Sequence, residues 1–257
     1  MIQKIQHLVE TLLNGMADPE NVECVQRIPY HGGGLPQSPL FCIKLDLFYR
    51  STIPSFPTRL KNLQGLKFVE TSLSRAKDRF FLEDVPVRVD YKLQNQVDDE
   101  ILSLKEADGA LRPESTYGLF RLYHGIPVHS KTSWIHEVKT CLETLPDSFW
   151  TAQIANLKGR LEHLLADMAA AVFNRDTLYF HLGFAGYLET LAEVLFAINH
   201  QFACPPEELR FQMSGLAVLP NGFSAWFENL LRDDAGFDRE RKLEIARHLA
   251  ESILVLT

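Results

Sequence analysis

Apolar residues pass from a strand pattern to a long helical spacing part-way along this chain, and that change governs what it can fold into. In VECVQRI (22–28), FCIKLDLFY (41–49) and RFFLEDVPVRVDYKL (79–93), β-branched and aromatic residues dominate. That enrichment marks strands, with a turn at Glu83-Asp84 splitting the last run in two. Beyond Pro113 the period becomes helical: Ile154, Leu157, Leu161, Leu164, Leu165 and Met168 form one stripe, and Leu188, Leu191, Ala192, Leu195 and Phe196 another. Two shorter helical runs, near 223–232 and 238–256, close the chain. An amphipathic helix opens it, with Ile2, Ile5, Leu8, Val9, Leu12 and Leu13 on one face and a stop at Asn14-Gly15. A short helix is expected near Thr58–Leu63, and the acidic stretch from Val97 to Gly109 reads as a linker or peripheral helix. The fold class is therefore α+β: a small mixed sheet in residues 1–110 and an all-α helical bundle in residues 111–257.

Composition excludes several functions. The N-terminus lacks the uninterrupted apolar run of an export signal, and the longest apolar stretch is broken by Glu189 and Glu193, so a cytoplasmic chain that does not cross a membrane is expected. Cys24, Cys42, Cys141 and Cys204 show no C-x-x-C pairing, which indicates neither a zinc site nor a disulfide framework. A net charge of -7 opposes a broad nucleic-acid surface and favours a small molecule or a protein as partner.

The residues that suggest chemistry sit among the strands. Gly32-Gly33-Gly34 lies between two of them, in PYHGGGLPQSP, where the missing Cβ lets backbone approach a phosphate. Asp46 follows a dozen residues later on an alternating strand, and Asp90 occupies the matching place in VPVRVDYKL. Two carboxylates on neighbouring strands suit Mg²⁺ held at the α-phosphate of a nucleoside triphosphate.

This pattern resembles the minimal nucleotidyltransferases of the aminoglycoside-modifying and antitoxin kind: a Gly-rich turn, an Asp-x-Asp strand and a third acid. On that resemblance Gly33 and Gly34 would hold phosphates, and Asp46 and Asp90 would be the second and third metal-binding acids, with Mg²⁺ as cofactor and an NTP as substrate. TYGLFRLYHGIPVHSKTSWIHEV and LAEVLFAINHQFACPPEELR look like the helical half of bacterial chains with this core. The resemblance implies transfer of a nucleoside monophosphate to a small-molecule or protein acceptor, and it admits a homodimer. Glu193 is the candidate base for the acceptor hydroxyl.

The chain departs from the family at definite places. Lys44 stands where the first metal-binding Asp belongs, His129 replaces an Asp, and Glu207, Glu208 and Arg210 replace a Lys-bearing run. An ammonium beside Asp46 and Asp90 repels Mg²⁺, and Lys44 then either pairs with these carboxylates as a structural solution or serves as a nucleotide-phosphate ligand. The competing reading is a non-catalytic nucleotide- or protein-binding regulatory homologue with a decayed metal site. A third, RNA cleavage in the helical half as in toxin–antitoxin components, rests on Arg175 and His181. The bland alternatives are a plain turn for the glycines, a solvent-facing strand position for Asp46, an Arg88 partnership for Asp90, core hydrogen bonding for Asn199, and core or interface places for Trp134, Trp150 and Trp226.

Overall fold

A computed structural model describes residues 2–15, 18–29, 41–63, 65–72, 76–105, 115–234 and 236–256. It is α+β and divides into two compact units, Met1–Glu106 with Arg121–Leu145, and Ala107–Phe120 with Pro146–Thr257. Arg121–Leu145 groups with the sheet unit although it follows residue 110 in the chain.

The sheet unit holds six strands in the order β3-β4-β5-β2-β1-β6. They are β1 (Val22–Ile28), β2 (Ile43–Tyr49), β3 (Leu66–Ser72), β4 (Lys77–Leu82), β5 (Val85–Leu93) and β6 (Ile126–Ser130). β2 and β5 run parallel and the other pairs antiparallel. Glu83 and Asp84 both have positive φ (48° and 64°), the geometry of a tight two-residue hairpin turn between β4 and β5.

Alternation divides the sheet into two unlike faces. Leu45, Leu47 and Tyr49 of β2 and Val87, Val89 and Tyr91 of β5 belong to one buried apolar cluster with Leu8, Val9 and Leu12 of α1 (Ile2–Asn14). Removing these residues from water supplies the cohesion of the unit. α2 (Phe56–Leu60) contributes Arg59 to the same side, where it forms a two-pronged ion pair with buried Asp78 (2.9 Å for each prong) and lies over the Tyr91 ring.

The opposite face carries Lys44, Asp46, Phe48, Arg88, Asp90 and Lys92. α3 (Gln94–Lys105) is an ordered helix with Val97, Ile101 and Leu104 buried at helical spacing, not a linker. Its Asp98 accepts from Trp134 Nε1 at 2.7 Å, and Trp134, at the start of α5 (Trp134–Glu143), packs edge-on against Phe48. The division between the units falls inside α4 (Tyr117–His124).

The helical unit is built on α6 (Asp147–Phe173) and α7 (Thr177–Ile198), followed by α8 (Leu209–Ser214), α9 (Phe223–Leu231) and α10 (Arg239–Leu254). Tyr187 donates to Ala246 O at 2.7 Å and ties α7 to α10. Asn199, half-buried at the end of α7, exchanges hydrogen bonds with the Val218 backbone (2.9 and 2.8 Å) near the surface, not in the core as expected. α7 is long and apolar enough to cross a membrane by length and composition (mean hydropathy 1.2), which the interruption by Glu189 and Glu193 had been expected to prevent. Its most apolar window is 56% buried inside the fold.

Candidate functional site

Asp46 and Asp90 are direct cross-strand partners in the parallel β2–β5 pair. Both are buried, Asp46 completely, so the solvent-facing reading of Asp46 does not hold. The cover is Arg121, from the C-terminal half of α4 and itself only 5% exposed. Its guanidinium reaches both acids: Nη2 and Nε meet the two oxygens of Asp46, and Nη1 lies 2.8 Å from Asp90 Oδ2. Lys92 Nζ adds a contact to Asp46 Oδ2 at 3.1 Å, and Lys77 Nζ one to Asp90 Oδ2 at 2.8 Å. Of the four carboxylate oxygens, Asp90 Oδ1 alone is buried without a hydrogen-bond partner. Burial pushes the Asp90 carboxyl up, but Arg121, Lys77 and Lys92 outweigh it and hold the group below its ordinary value.

The position of Arg121 is set by a polar corner. Gln26 on β1, fully buried, donates its amide to Leu122 O and Gly125 O (3.3 Å each), and Lys139 Nζ donates to Gly125 O at 2.6 Å. Burial lowers the Lys139 pKa. A Cβ at Gly125 would stand 2.7 Å from Arg121 O and 2.8 Å from the Gln26 amide, so only glycine lets α4 end this close to β1. β6 then starts at Ile126 and pairs with β1, which brings the α4 end over the acids.

Lys44 lies one row along the same face, opposite Arg88, and Arg88 in turn faces Arg79 of β4. Arg121 and Lys77 lie on Asp90, and Arg121 and Lys92 on Asp46, so the place expected for Arg88 beside Asp90 is taken by others. His31, Gly33 and Gly34 lie outside the described residues.

The acids as they stand do not fit a divalent ion. A dication within about 4 Å of the Arg121 guanidinium would meet repulsion on the order of 8 kcal/mol at an effective dielectric constant of about 20. That equals the attraction of one carboxylate at the same distance, so the guanidinium cancels one of the two acids before Lys77 and Lys92 are counted. Among the described residues no group of three or more His, Cys, Asp or Glu side chains is placed to hold a metal.

Glu193 belongs to the helical unit. It is 6% exposed, with Arg160 Nη1 at 3.5 Å from its Oε2, too long for a hydrogen bond. Burial raises its pKa, and a hydrogen bond from Ser115 and the charge of Arg160 offset this only in part. Arg175 occupies the α6–α7 turn with φ 55°, while Asp176 caps α7 by accepting from Tyr179 N at 3.0 Å. His181 is exposed on α7, and no contact joins it to Arg175 among the described residues.

No protein-family model matches the chain, and no curated protein matches it either. Among solved structures, that of a nucleotidyltransferase-like protein from Exiguobacterium sibiricum is similar at a TM-score of 0.47 and 13% identity, over 92% of this chain and 71% of that one.

Sequence reasoning missed Arg121. It lies 75 residues from Asp46 along the chain, inside a run that reads as bundle helix. A signal was present: an arginine is the one polar group between Phe120 and Leu122 in GLFRLY, and a buried cation demands a buried anion.

Proposed function

We propose that this chain is a nucleotidyltransferase-like protein that has given up metal-dependent transfer and binds a nucleotide through cationic side chains. The observation that carries this reading is the Arg121 guanidinium bridging Asp46 and Asp90, where a transferase of the resembled kind would hold Mg²⁺. Lys44 supports it, since an ammonium in place of the first acid removes one metal ligand and adds a phosphate ligand. Three cations, Arg121, Lys77 and Lys92, on one pair of carboxylates leave this cluster more positive than negative, which suits an anion unaccompanied by a cation.

Isothermal titration with ATP tests the reading. ATP should bind equally in EDTA and in Mg²⁺, and no pyrophosphate should be released with any of the four NTPs. Metal-dependent binding, or NTP turnover in Mg²⁺ or Mn²⁺, would falsify the proposal. Converting Lys44→Asp together with Arg121→Leu should restore a metal requirement to nucleotide binding.

A further inference from the structure

α7 is buried unevenly along its length. From Thr190 through Ala197 every residue is buried, whereas earlier in the helix only Phe180, Gly183 and Tyr187 are. That early buried side faces α6, since a Cβ at Gly183 would stand 3.2 Å from Met168 Cγ. Leu178, Leu182, Ala185 and Glu189 follow one another at steps of four and three residues on the opposite face, and all four are exposed. Leu178 keeps 71% and Leu182 64% of its surface in contact with water. A helix this apolar belongs inside a core, so its first half lacks a cover among the described residues.

The same face offers a place for such side chains. Gly186, one turn after Leu182, lies beside Leu164 of α6, where a Cβ would come within 3.0 Å. Leu164, Gly159 and Asp167 line an open groove of about 460 Å³ along α6. Asp167 accepts from the Tyr179 hydroxyl of α7 at 2.6 Å, so the groove follows the flank of both helices. Two protruding leucines thus stand next to a recess. Charge is divided in the same way. Arg175, in the turn before α7, and Arg239, which donates to Thr177 Oγ1 at 2.7 Å, stand at one end, where Asp176 is engaged in capping the helix. Glu189 stands at the other end of the exposed face, and neither it nor Arg175 has an ion-pair partner among the described residues.

We infer that this face of α7 binds the same face of a second copy of the chain, in an antiparallel pair whose two-fold axis passes at Leu182. In a two-fold interface every contact occurs twice, with the copies exchanged. Leu182 then meets its counterpart. Leu178, four residues before the axis, meets Gly186, four residues after it, and Arg175, seven before, meets Glu189, seven after. The leucine fills the recess and the free charges pair. A parallel pair would instead set Glu189 against Glu189 and Leu178 against Leu178. Bump and hollow, cation and anion are matched about one residue of one face, which makes the occupant a second copy and not a different protein. The inference goes beyond the proposed function and does not rest on it.

Sedimentation equilibrium of the full chain tests it. At low salt the mass should rise from that of one chain towards that of two as the concentration climbs to about 200 μM, the range of a small interface. Leu182→Asp should weaken association about 10-fold or more. Because that side chain is 64% exposed, the thermal midpoint of dilute protein should not fall. Arg175→Glu and Glu189→Arg should each weaken association about 10-fold, and the two together should restore it, because the reversed charges meet again across the axis.

A chain that stays monomeric throughout overturns the inference, as does association that Leu182→Asp leaves unchanged, or a double reversal no tighter than either single one. If Leu182→Asp lowers the midpoint of a monomeric chain, the face is covered within the chain. If it abolishes co-sedimentation of a monomeric chain with phosphatidylcholine vesicles, the face meets lipid. Either result overturns the dimer.

Discussion

At the scale of single residues, Asp46 separates the two readings of this site. A carboxylate built to hold a metal is surplus negative charge when the ion is absent, so neutralising it leaves the metal-free protein as stable or more so. The carboxylate described here is instead the counter-charge of Arg121 and Lys92. Asp46→Asn would leave the guanidinium 5% exposed with half its compensation gone. Breaking one partner of such a buried pair costs about 3 kcal/mol or more. The thermal midpoint of the sheet unit should therefore fall by about 6 to 12 °C in EDTA, measured by scanning calorimetry. A raised midpoint would mean that the acids repel one another and await a cation. The acids themselves were legible because strand alternation exposes any charge set among Leu45, Leu47, Val87 and Val89. Their partner was not: alternation says which face a residue occupies, and nothing about what a helix 75 residues away lays upon it.

Among the elements, the α4–β6 corner decides the site's geometry. Gln26 and Lys139 fasten the carbonyls at the end of α4, and Gly125 provides the clearance for both. Gly125→Ala would force contacts of 2.7 to 2.8 Å against backbone and a buried amide, neither free to swing away. Overpacking of this kind costs about 1 to 3 kcal/mol. Amide exchange should quicken in Ile126–Ser130 and the last turn of α4 and stay unchanged in α6 and α7; unaltered exchange in β6 would show that the corner relaxes without cost. β6 was also the element that sequence patterning misplaced. IPVHS is five residues long, carries Pro127 and lies at a sheet edge with Ile126 exposed, so it lacks the alternation of a covered strand. The longer elements were readable because each buries one complete face: α1 through Leu8, Val9 and Leu12, and α6 through Phe149, Gln153, Leu157, Leu161 and Met168.

For the molecule as a whole, two units with different buried acids should answer acid differently. In the sheet unit the folded pKa of Asp90 lies below its unfolded value near 3.8. Its contribution is therefore present above that value and is lost as the pH falls through the lower, folded one. In the helical unit the folded pKa of Glu193 lies above its unfolded value near 4.5. Protonation favours that fold, so its contribution is complete below 4.5 and disappears as the pH rises through the folded value. Amide-exchange protection, corrected for intrinsic rates, reads each unit separately. As the pH falls towards 4.5, α6 and α7 should gain protection; as it falls below about 3.8, β2 and β5 should lose it. Glu193→Gln should flatten the first trend without touching the second, and Asp90→Asn the reverse. If Glu193→Gln kept the parent's pH dependence in α6 and α7, the buried glutamate would not be the group that titrates. The opposite signs follow from one physical difference: Asp90 was buried together with Arg121 and Lys77, whereas Glu193 was buried with only Arg160 at 3.5 Å and a serine hydroxyl to offset the loss of water.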